Sequence, residues 1–155
     1  MNRTQSGFTI LELMMTMAIL VLIISMTMPS MTGFVQRNRL SAEVRGIVGA
    51  VALARSEAIS RRLDVAVLPQ TPGDWASGWR VMEVNNLSAP VGNVFRQSDP
   101  FPTGYTLVFQ NAATALEFNP RGVLNLPANE VITLSDGKGH TVTVHMPLSG
   151  SAYIR

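Results

Sequence analysis

Residues 6–28 read SGFTILELMMTMAILVLIISMTM, and this stretch decides the fold of the 155-residue chain. From Phe8 to Met28 it holds 21 residues with a single charge, at Glu12. A helix of that length spans roughly 30 Å, which is about the thickness of the hydrocarbon core of a membrane. The sequence therefore predicts a transmembrane helix over residues 8–28. The residues before it are polar and carry one positive charge, at Arg3.

The position of one glycine relative to the apolar run indicates how the chain is processed. An ordinary secretory signal is cleaved after its apolar stretch, at small residues. No convincing site of this kind follows the run, whereas Gly7 directly precedes Phe8. The sequence therefore predicts cleavage between Gly7 and Phe8, which removes residues 1–7 as a leader and keeps the apolar helix.

Glu12 is the charged residue of the apolar run, and it lies close to the start. An ionised carboxylate at the centre of a membrane-spanning helix costs roughly 2.5–3.5 kcal/mol, and less near an end. Cleavage after Gly7 places a new amine one helical turn before Glu12, and the N-terminus of a helix is itself partially positive. Three environments stay open for the carboxylate: the amine of its own chain, the amine of a neighbouring helix, or the membrane interface.

Residues 6–13, Ser-Gly-Phe-Thr-Ile-Leu-Glu-Leu, resemble the N-terminal motif of type IV pilins and type II secretion pseudopilins. The resemblance implies that a prepilin peptidase cleaves after Gly7 and methylates the amine of Phe8. It also implies that Glu12 docks an incoming subunit on a growing filament, and that Pro29 stands where those proteins carry a helix-kinking proline.

The same resemblance implies where the protein resides and what it meets. It implies a single-pass protein of the bacterial inner membrane, with the N-terminus in the cytoplasm and the head in the periplasm, which later enters a pilus or pseudopilus filament. The implied partners are other pilins or pseudopilins, through the N-terminal helix, and the inner-membrane assembly platform.

Beyond Pro29 the chain changes from uniformly apolar to amphipathic. Apolar residues recur at intervals of three and four, which is typical of a helix with one buried side. The sequence predicts that an amphipathic helix continues the stalk over residues 29–63 and stops near Arg62. Its apolar positions are Leu40, Val44, Ile47, Val48, Val51, Ala54, Ala58 and Ile59.

From residue 64 onward the pattern predicts a β-rich head that extends to residue 155. Short runs rich in β-branched and aromatic residues alternate with Pro, Gly, Asn and Asp. Residues 136–139, Asp-Gly-Lys-Gly, predict a hairpin turn, and residues 90–104 have little periodicity and predict a loop. The predicted strands are Asp64–Leu68, Trp79–Val84, Tyr105–Phe109, Val131–Leu134 and Thr141–Met146.

These segments together predict an α+β, pilin-like fold. A long N-terminal α-helix, transmembrane and then amphipathic, packs on a C-terminal antiparallel β-sheet head. The predicted divisions are residues 1–7 (leader), 8–28 (transmembrane and assembly helix), 29–63 (amphipathic helix) and 64–155 (head).

Two elements of the head resemble minor pilins and pseudopilins of the GspH/FimT type. Residues 75–79, Trp-Ala-Ser-Gly-Trp, resemble a W-x-x-G-W element, and residues 118–122, Phe-Asn-Pro-Arg-Gly, resemble a later F-x-P-x-G element. On physical grounds Trp75 and Trp79 are interpreted as core residues around a turn that contains Gly78. The resemblance implies a low-abundance subunit at or near the tip of a type IV pilus that helps to initiate filament assembly. The alternative is the corresponding pseudopilin of a type II secretion system.

A third hypothesis is a tip pilin that binds DNA for natural transformation. Some FimT-like proteins bind DNA through a Gly-Arg-x-Arg element near the C-terminus, and residues 150–155 of this chain keep only the glycine and a final arginine. The resemblance implies a DNA site at Arg155, with Arg121 and Lys138 as neighbours if the fold brings them together. Charge argues against tight binding, because the net charge is +4 over residues 30–63 and −2 over residues 64–155.

Other chemistry finds little support in the sequence. The chain has no cysteine, which excludes disulfides, thiolate metal sites and a cysteine nucleophile. Its two histidines, His140 and His145, are five residues apart on a predicted strand and would point to opposite faces, so a shared metal ion is not expected. No nucleotide-binding or hydrolase motif occurs. The sequence predicts no cofactor, no metal ion and no enzymatic activity.

Overall fold

A computed structural model describes residues 7–85 and 89–154, with side chains described for residues 7–25, 33–85 and 89–154. In this part of the chain one helix, α1 (Ile10–Arg61), is followed by eight strands. The strands are β1 (Val65–Thr71), β2 (Asp74–Val84), β3 (Pro90–Gln97), β4 (Thr106–Phe109), β5 (Leu116–Phe118), β6 (Glu130–Ser135), β7 (Thr141–Met146) and β8 (Tyr153–Ile154).

The chain divides into two compact units, the first ending at Arg37 and the second comprising Asn38–Arg155. Helix α1 contributes residues to both units. In the second unit, six of the eight apolar positions predicted for the amphipathic helix are buried, Val48 packs partly against the core, and Ile59 is 48% exposed. The amphipathic pattern is therefore confirmed, with Ala50 as an additional buried residue.

The strands of the second unit form two four-stranded antiparallel sheets. Their orders are β3-β2-β1-β5 and β4-β6-β7-β8. Alternate residues of both sheets point into one core that also contains the buried side of α1. The predicted α+β arrangement of an N-terminal helix and an antiparallel β head is confirmed. The largest fully buried apolar side chains of this core are Phe118, Leu40, Leu116, Ile132, Leu134 and Met146.

All five predicted strands are present, as β1, the second half of β2, β4, β6 and β7. The predicted hairpin turn at residues 136–139 is also present and joins β6 to β7. Its first residue holds it together, because Asp136 Oδ1 accepts hydrogen bonds from the amides of Lys138 (2.8 Å) and His140 (3.1 Å).

The prediction of a loop over residues 90–104 is wrong for its first half, where β3 lies. Strand β3 is an edge strand that pairs only with β2, and its register shifts around Met82. Seven of its eight residues are exposed, so its sequence lacks the alternation that marks a half-buried strand. Charged or irregular edges of this kind are common in antiparallel sheets.

Candidate functional site

Helix α1 begins at Ile10, and Thr9 caps it. The hydroxyl of Thr9 accepts a hydrogen bond from the amide of Glu12 at 3.2 Å, and the carbonyl of Thr9 accepts one from the amide of Leu13 at 3.2 Å. Thr9 and Glu12 thus occupy the first and last positions of the S/T-x-x-E capping pattern. The sequence predicts the helix from Phe8, and the cap explains why it begins two residues later.

Glu12 lies in the first turn of α1, where unpaired backbone amides give the helix its partial positive charge. A carboxylate at this place is stabilised by about 0.3–1 kcal/mol when it is exposed. Glu12 therefore lies at the positive end of the helix dipole.

The apolar residues between Phe8 and Ile24 are exposed on every side of the helix. The exposed fractions of the large ones range from 80% at Ile10 to 47% at Ile24. The hydroxyls of Thr16 and Ser25 donate to carbonyls one turn earlier, each at 2.8 Å, so they need no outside partner. A helix that is apolar all round is normally covered by lipid or by other helices.

Within residues 7–85 and 89–154, no helix is both long enough and apolar enough to cross a membrane. The span predicted over residues 8–28 ends with residues 26–28, whose side chains lie outside the described residues. The side chain of Pro29 lies outside them too. The membrane span and the kink at Pro29 therefore stay predictions.

Both tryptophans of the W-x-x-G-W element lie in β2 and are buried, at 8% and 4% exposure. The indole N–H of Trp75 donates to the carbonyl of Ala113 at 3.3 Å, and its ring lies 4.5 Å from that of Phe109. The interpretation of Trp75 and Trp79 as core residues is confirmed.

The turn expected at Gly78 is wrong, because this glycine lies inside β2. Its φ angle is +94°, and a Cβ there would lie 2.7 Å from the carbonyl oxygen of Asp99. Gly78 therefore lets the chain after β3 cross close over β2, which no other residue could allow without strain.

The F-x-P-x-G element forms a turn that rests on α1. The side-chain oxygen of Asn119 accepts hydrogen bonds from the amides of Arg121 (3.0 Å) and Val123 (3.1 Å). Gly122 has a φ angle of +72°, and a Cβ there would lie 2.5 Å from a terminal carbon of Ile59. The turn thus fixes Arg121 at the surface beside the last part of the helix.

The structure does not bring together the described residues that were predicted for DNA binding. The Arg121 turn lies next to the C-terminal segment, because the amide of Leu124 donates to the carbonyl of Leu148 at 3.1 Å. Lys138 is in the hairpin at the opposite end of β7, and a strand of six residues is about 20 Å long. The structure therefore places Lys138 apart from Arg121, and Arg155 lies outside the described residues.

Arg55 is a cation near the Arg121 turn that the sequence interpretation assigns to the stalk. Its Nε atom is buried and has no hydrogen-bond partner among the described residues. This atom lies 3.2 Å from the point that a Cβ would occupy if Gly122 had a side chain. Arg55 also borders a groove of about 450 Å³ between α1 and residues 150–152. Arg55 and Ile59 are one helical turn apart, and both lie beside Gly122. The positions of these residues in the sequence do not predict this contact.

The two histidines have separate structural roles. The Nδ1 atom of His140 lies 2.7 Å from Asp136 Oδ2, and the ring of His145 stacks on that of Tyr153 with centroids 5.4 Å apart. Burial raises the pKa of Asp136, but the hydrogen bonds from His140 and from the backbone amides outweigh it and hold that pKa below its usual value. No group of three or more His, Asp or Glu side chains converges as a metal site in the described part of the chain.

Comparisons with protein-family models give two matches that together cover most of the chain. Residues 43–150 match the model described as type II transport protein GspH. Residues 2–28 match the model of the prokaryotic N-terminal methylation motif. No curated protein matches the chain significantly.

Solved structures show the same fold. The type IV minor pilin FimU of Pseudomonas aeruginosa (strain PAO1) superposes with a TM-score of 0.67 at 21% identity, covering 79% of this chain and 92% of FimU. The minor pseudopilin EpsH of the type 2 secretion system of Vibrio cholerae superposes with a TM-score of 0.57 at 11% identity, covering 76% of this chain and 96% of EpsH.

Proposed function

This chain belongs to the GspH family of minor pilins and pseudopilins, and from this premise we propose that it acts at or near the tip of a type IV pilus, where it helps to initiate filament assembly. The family consists of structural filament subunits, so the function resides in contacts with other subunits. The observation that carries the proposal is the match of residues 43–150, which comprise most of the head and the last third of helix α1, to the family model.

The N-terminal helix supports a role in assembly. Its apolar side chains are exposed on all sides and need a covering of lipid or of neighbouring helices. We propose that residues 8–28 anchor the protein in the inner membrane, with the N-terminus in the cytoplasm and the head in the periplasm. The assembly platform then moves the subunit into the filament, where Glu12 and Pro29 act in docking the helix.

Deletion of the gene tests the role in initiation. An initiator sets the number of filaments, so we expect far fewer filaments per cell while the length of those that form is retained. Electron microscopy of deletion and complemented strains measures both quantities. Unchanged filament number in the deletion strain would contradict the proposal.

A second candidate is a GspH-type pseudopilin of a type II secretion system, which the description of the family model favours. The same deletion separates the two. Loss of secreted proteins from the culture medium with normal surface filaments would identify the secretion system. Neighbouring genes for pilus assembly or for secretion give an independent check.

Processing after Gly7 is the first expected result. We expect the mature chain to begin at Phe8 with a methylated amine, because Gly7 has no side chain to obstruct a peptidase and the motif match spans residues 2–28. Intact mass measurement of the protein from membranes determines the terminus and the added 14 Da of a methyl group. A Gly7→Val variant should stay unprocessed. A mature chain that begins beyond Met28 would mean a conventional signal peptide.

Weak DNA binding is the second expected result. Arg121 and Arg155 offer at most two phosphate contacts, so we expect a Kd no tighter than about micromolar at physiological salt, with a log–log salt slope of roughly −2. Fluorescence anisotropy of the full chain in detergent measures this. Arg121→Ala and Arg155→Ala should weaken binding, whereas Lys138→Ala, at the far end of β7, should not. Nanomolar binding that is lost in Arg155→Ala would make DNA uptake the leading function.

A further inference from the structure

The groove of about 450 Å³ beside Arg55 lies between the last third of α1 and the segment that leads into β8. One wall is formed by helix residues and the other by residues 150–152. Among the described residues that line the groove, Arg55 alone is charged, and none is Asp or Glu. The groove therefore combines apolar and small side chains with a single positive charge. The helix residues of its wall are Val48, Ala52, Arg55, Ser56 and Ile59.

Arg55 has no carboxylate neighbour on its own helix. Another arginine of α1, Arg61, forms an ion pair with Glu57, four residues earlier. Arg55 forms no ion pair in the part of the chain that the structure describes, and its buried Nε atom has no hydrogen-bond partner there. An unpaired donor of this kind calls for an acceptor from outside the chain. The residues three and four positions from Arg55, which share its face of the helix, are Val51, Ala52, Ala58 and Ile59.

Two glycines enclose the side chain of Arg55. A Cβ on Gly122 would lie 3.2 Å from the Nε atom, and a Cβ on Gly150 would lie 3.4 Å from the Cδ atom. The stem of Arg55 is thus packed between two turns of the head, which restricts the positions of its guanidinium group. A cation that is already held in place loses little conformational entropy when an anion binds it.

The walls of the groove favour a carboxylate of a peptide over a phosphate of a nucleic acid. Nucleic acids are bound mainly by several cations along their backbone, whereas this groove offers one arginine among apolar and small residues. A peptide can place a carboxylate on the guanidinium, in two parallel hydrogen bonds, and apolar side chains on the walls. The net charge of +4 over residues 30–63 also favours an acidic partner.

The second wall of the groove leads into an open edge of a sheet. Strand β8 is the last in the order β4-β6-β7-β8, so one of its edges has no strand beside it in the described part of the chain. Both of its residues, Tyr153 and Ile154, are exposed. An open edge can bind an extended peptide through main-chain hydrogen bonds, while alternate side chains enter neighbouring pockets. This edge favours an extended segment as the occupant.

We propose that the groove binds an extended segment of another filament subunit, in which an aspartate or glutamate stands between apolar residues. The carboxylate binds the guanidinium of Arg55, and the apolar neighbours cover the wall that α1 contributes. That the partner is a filament subunit rests on the function proposed above. Charge pairing discriminates between partners more strongly than apolar contact does, so this groove lets the head select its neighbour.

Photo-crosslinking in living cells tests the groove. The probe is p-benzoylphenylalanine, placed at Ser56 in one strain and at Ser151 in another, because these two exposed residues stand on opposite walls. Mass spectrometry of the cross-linked peptides should identify the same segment of another filament subunit in both strains, with an Asp or Glu between apolar residues. The same probe at Ser60, which is exposed one helical turn further on and outside the groove, should not capture that segment.

Ala52 provides a matched pair of variants. It is exposed, lines the groove and lies three residues before Arg55 on the same face of the helix. Ala52→Glu places a carboxylate within reach of Arg55, so it should compete with the partner and lower the cross-link yield at least about tenfold. Ala52→Gln has the same shape without the charge and should keep most of the yield. Arg55→Gln should lower the yield as much as Ala52→Glu does.

The proposal is overturned if neither probe captures a subunit, or if the captured product is DNA, lipid or a peptide without a carboxylate. It is also overturned if Ala52→Glu and Ala52→Gln give equal yields. Filament number in the same strains reports separately on the proposed function. A normal number of filaments without any cross-link would reject the groove as a docking site and leave the function in place.

Discussion

Replacing Glu12 by alanine is expected to lower the amount of this subunit in sheared filaments at least about tenfold, while its amount in the membrane stays unchanged or rises. The carboxylate lies in an otherwise apolar segment, so its removal makes membrane insertion easier. In a filament the same carboxylate would bind the amine of a neighbouring chain. A charge-assisted hydrogen bond of this kind contributes roughly 1.5–3 kcal/mol, and about 1.4 kcal/mol corresponds to a factor of ten.

Quantitative immunoblots of membrane and sheared-filament fractions measure the effect. Thr16→Val is the matched control, because it removes a polar group from the same segment whose hydroxyl is already bonded within the helix. We expect Thr16→Val to enter filaments at the wild-type level. If Glu12→Ala also does so, the carboxylate does not guide assembly, and the exposed apolar surface of the helix suffices.

Replacing Gly78 by alanine is expected to lower the Tm of the head by about 10 °C or more. Two costs combine at this position. A residue with a side chain at a φ angle of +94° is strained by about 1–3 kcal/mol, and its Cβ would lie 2.7 Å from the backbone oxygen of Asp99. The backbone of Asp99 cannot move aside as a flexible side chain can. The chain that follows β3 must therefore move away from β2. For a domain of this size each kcal/mol changes the Tm by roughly 3–6 °C.

Gly73→Ala separates the two costs. Gly73 has a φ angle of +80°, but a Cβ there would meet no atom within 4 Å. We expect the Tm of this variant to fall by only about 4 °C, because backbone strain is the one cost that the substitution introduces. Equal losses of Tm in the two variants would show that the close approach of Asp99 contributes nothing. Thermal unfolding of both variants in the same detergent gives the comparison.

Local patterns predict the parts of this fold that local interactions determine. The three-four spacing of apolar residues predicts the buried side of α1, and β-branched runs predict five of the eight described strands. Strand β3 is missed because an exposed edge strand needs no apolar alternation, and it pairs with β2 while one of its residues, Phe95, packs against the core. Strands β5 and β8 have three and two residues, which is too short for any periodicity to appear.

Candidate sites made of residues close together in the sequence can likewise be predicted, whereas sites made of distant residues cannot. Gly7, Phe8 and Glu12 lie within six residues of sequence, so one motif reveals them. The contact of Arg55 with the Gly122 turn joins residues that are far apart in the chain, and no spacing rule connects them. Glu117 and Glu130 line one cavity of the head from two different sheets, and only the packing of those sheets brings these two residues to it.

The threonine cap of α1 also has a consequence for the leader. Because the hydroxyl of Thr9 caps the N-terminus of the helix, which begins at Ile10, the peptide bond between Gly7 and Phe8 lies in non-helical backbone. Proteases cleave extended peptide, so the bond needs no unwinding before it can be cut. The register of the helix is likewise set inside the part of the chain that cleavage after Gly7 would retain. Mutations that lengthen, shorten or recompose the leader can therefore accumulate over generations without shifting the helix that each mature subunit contributes.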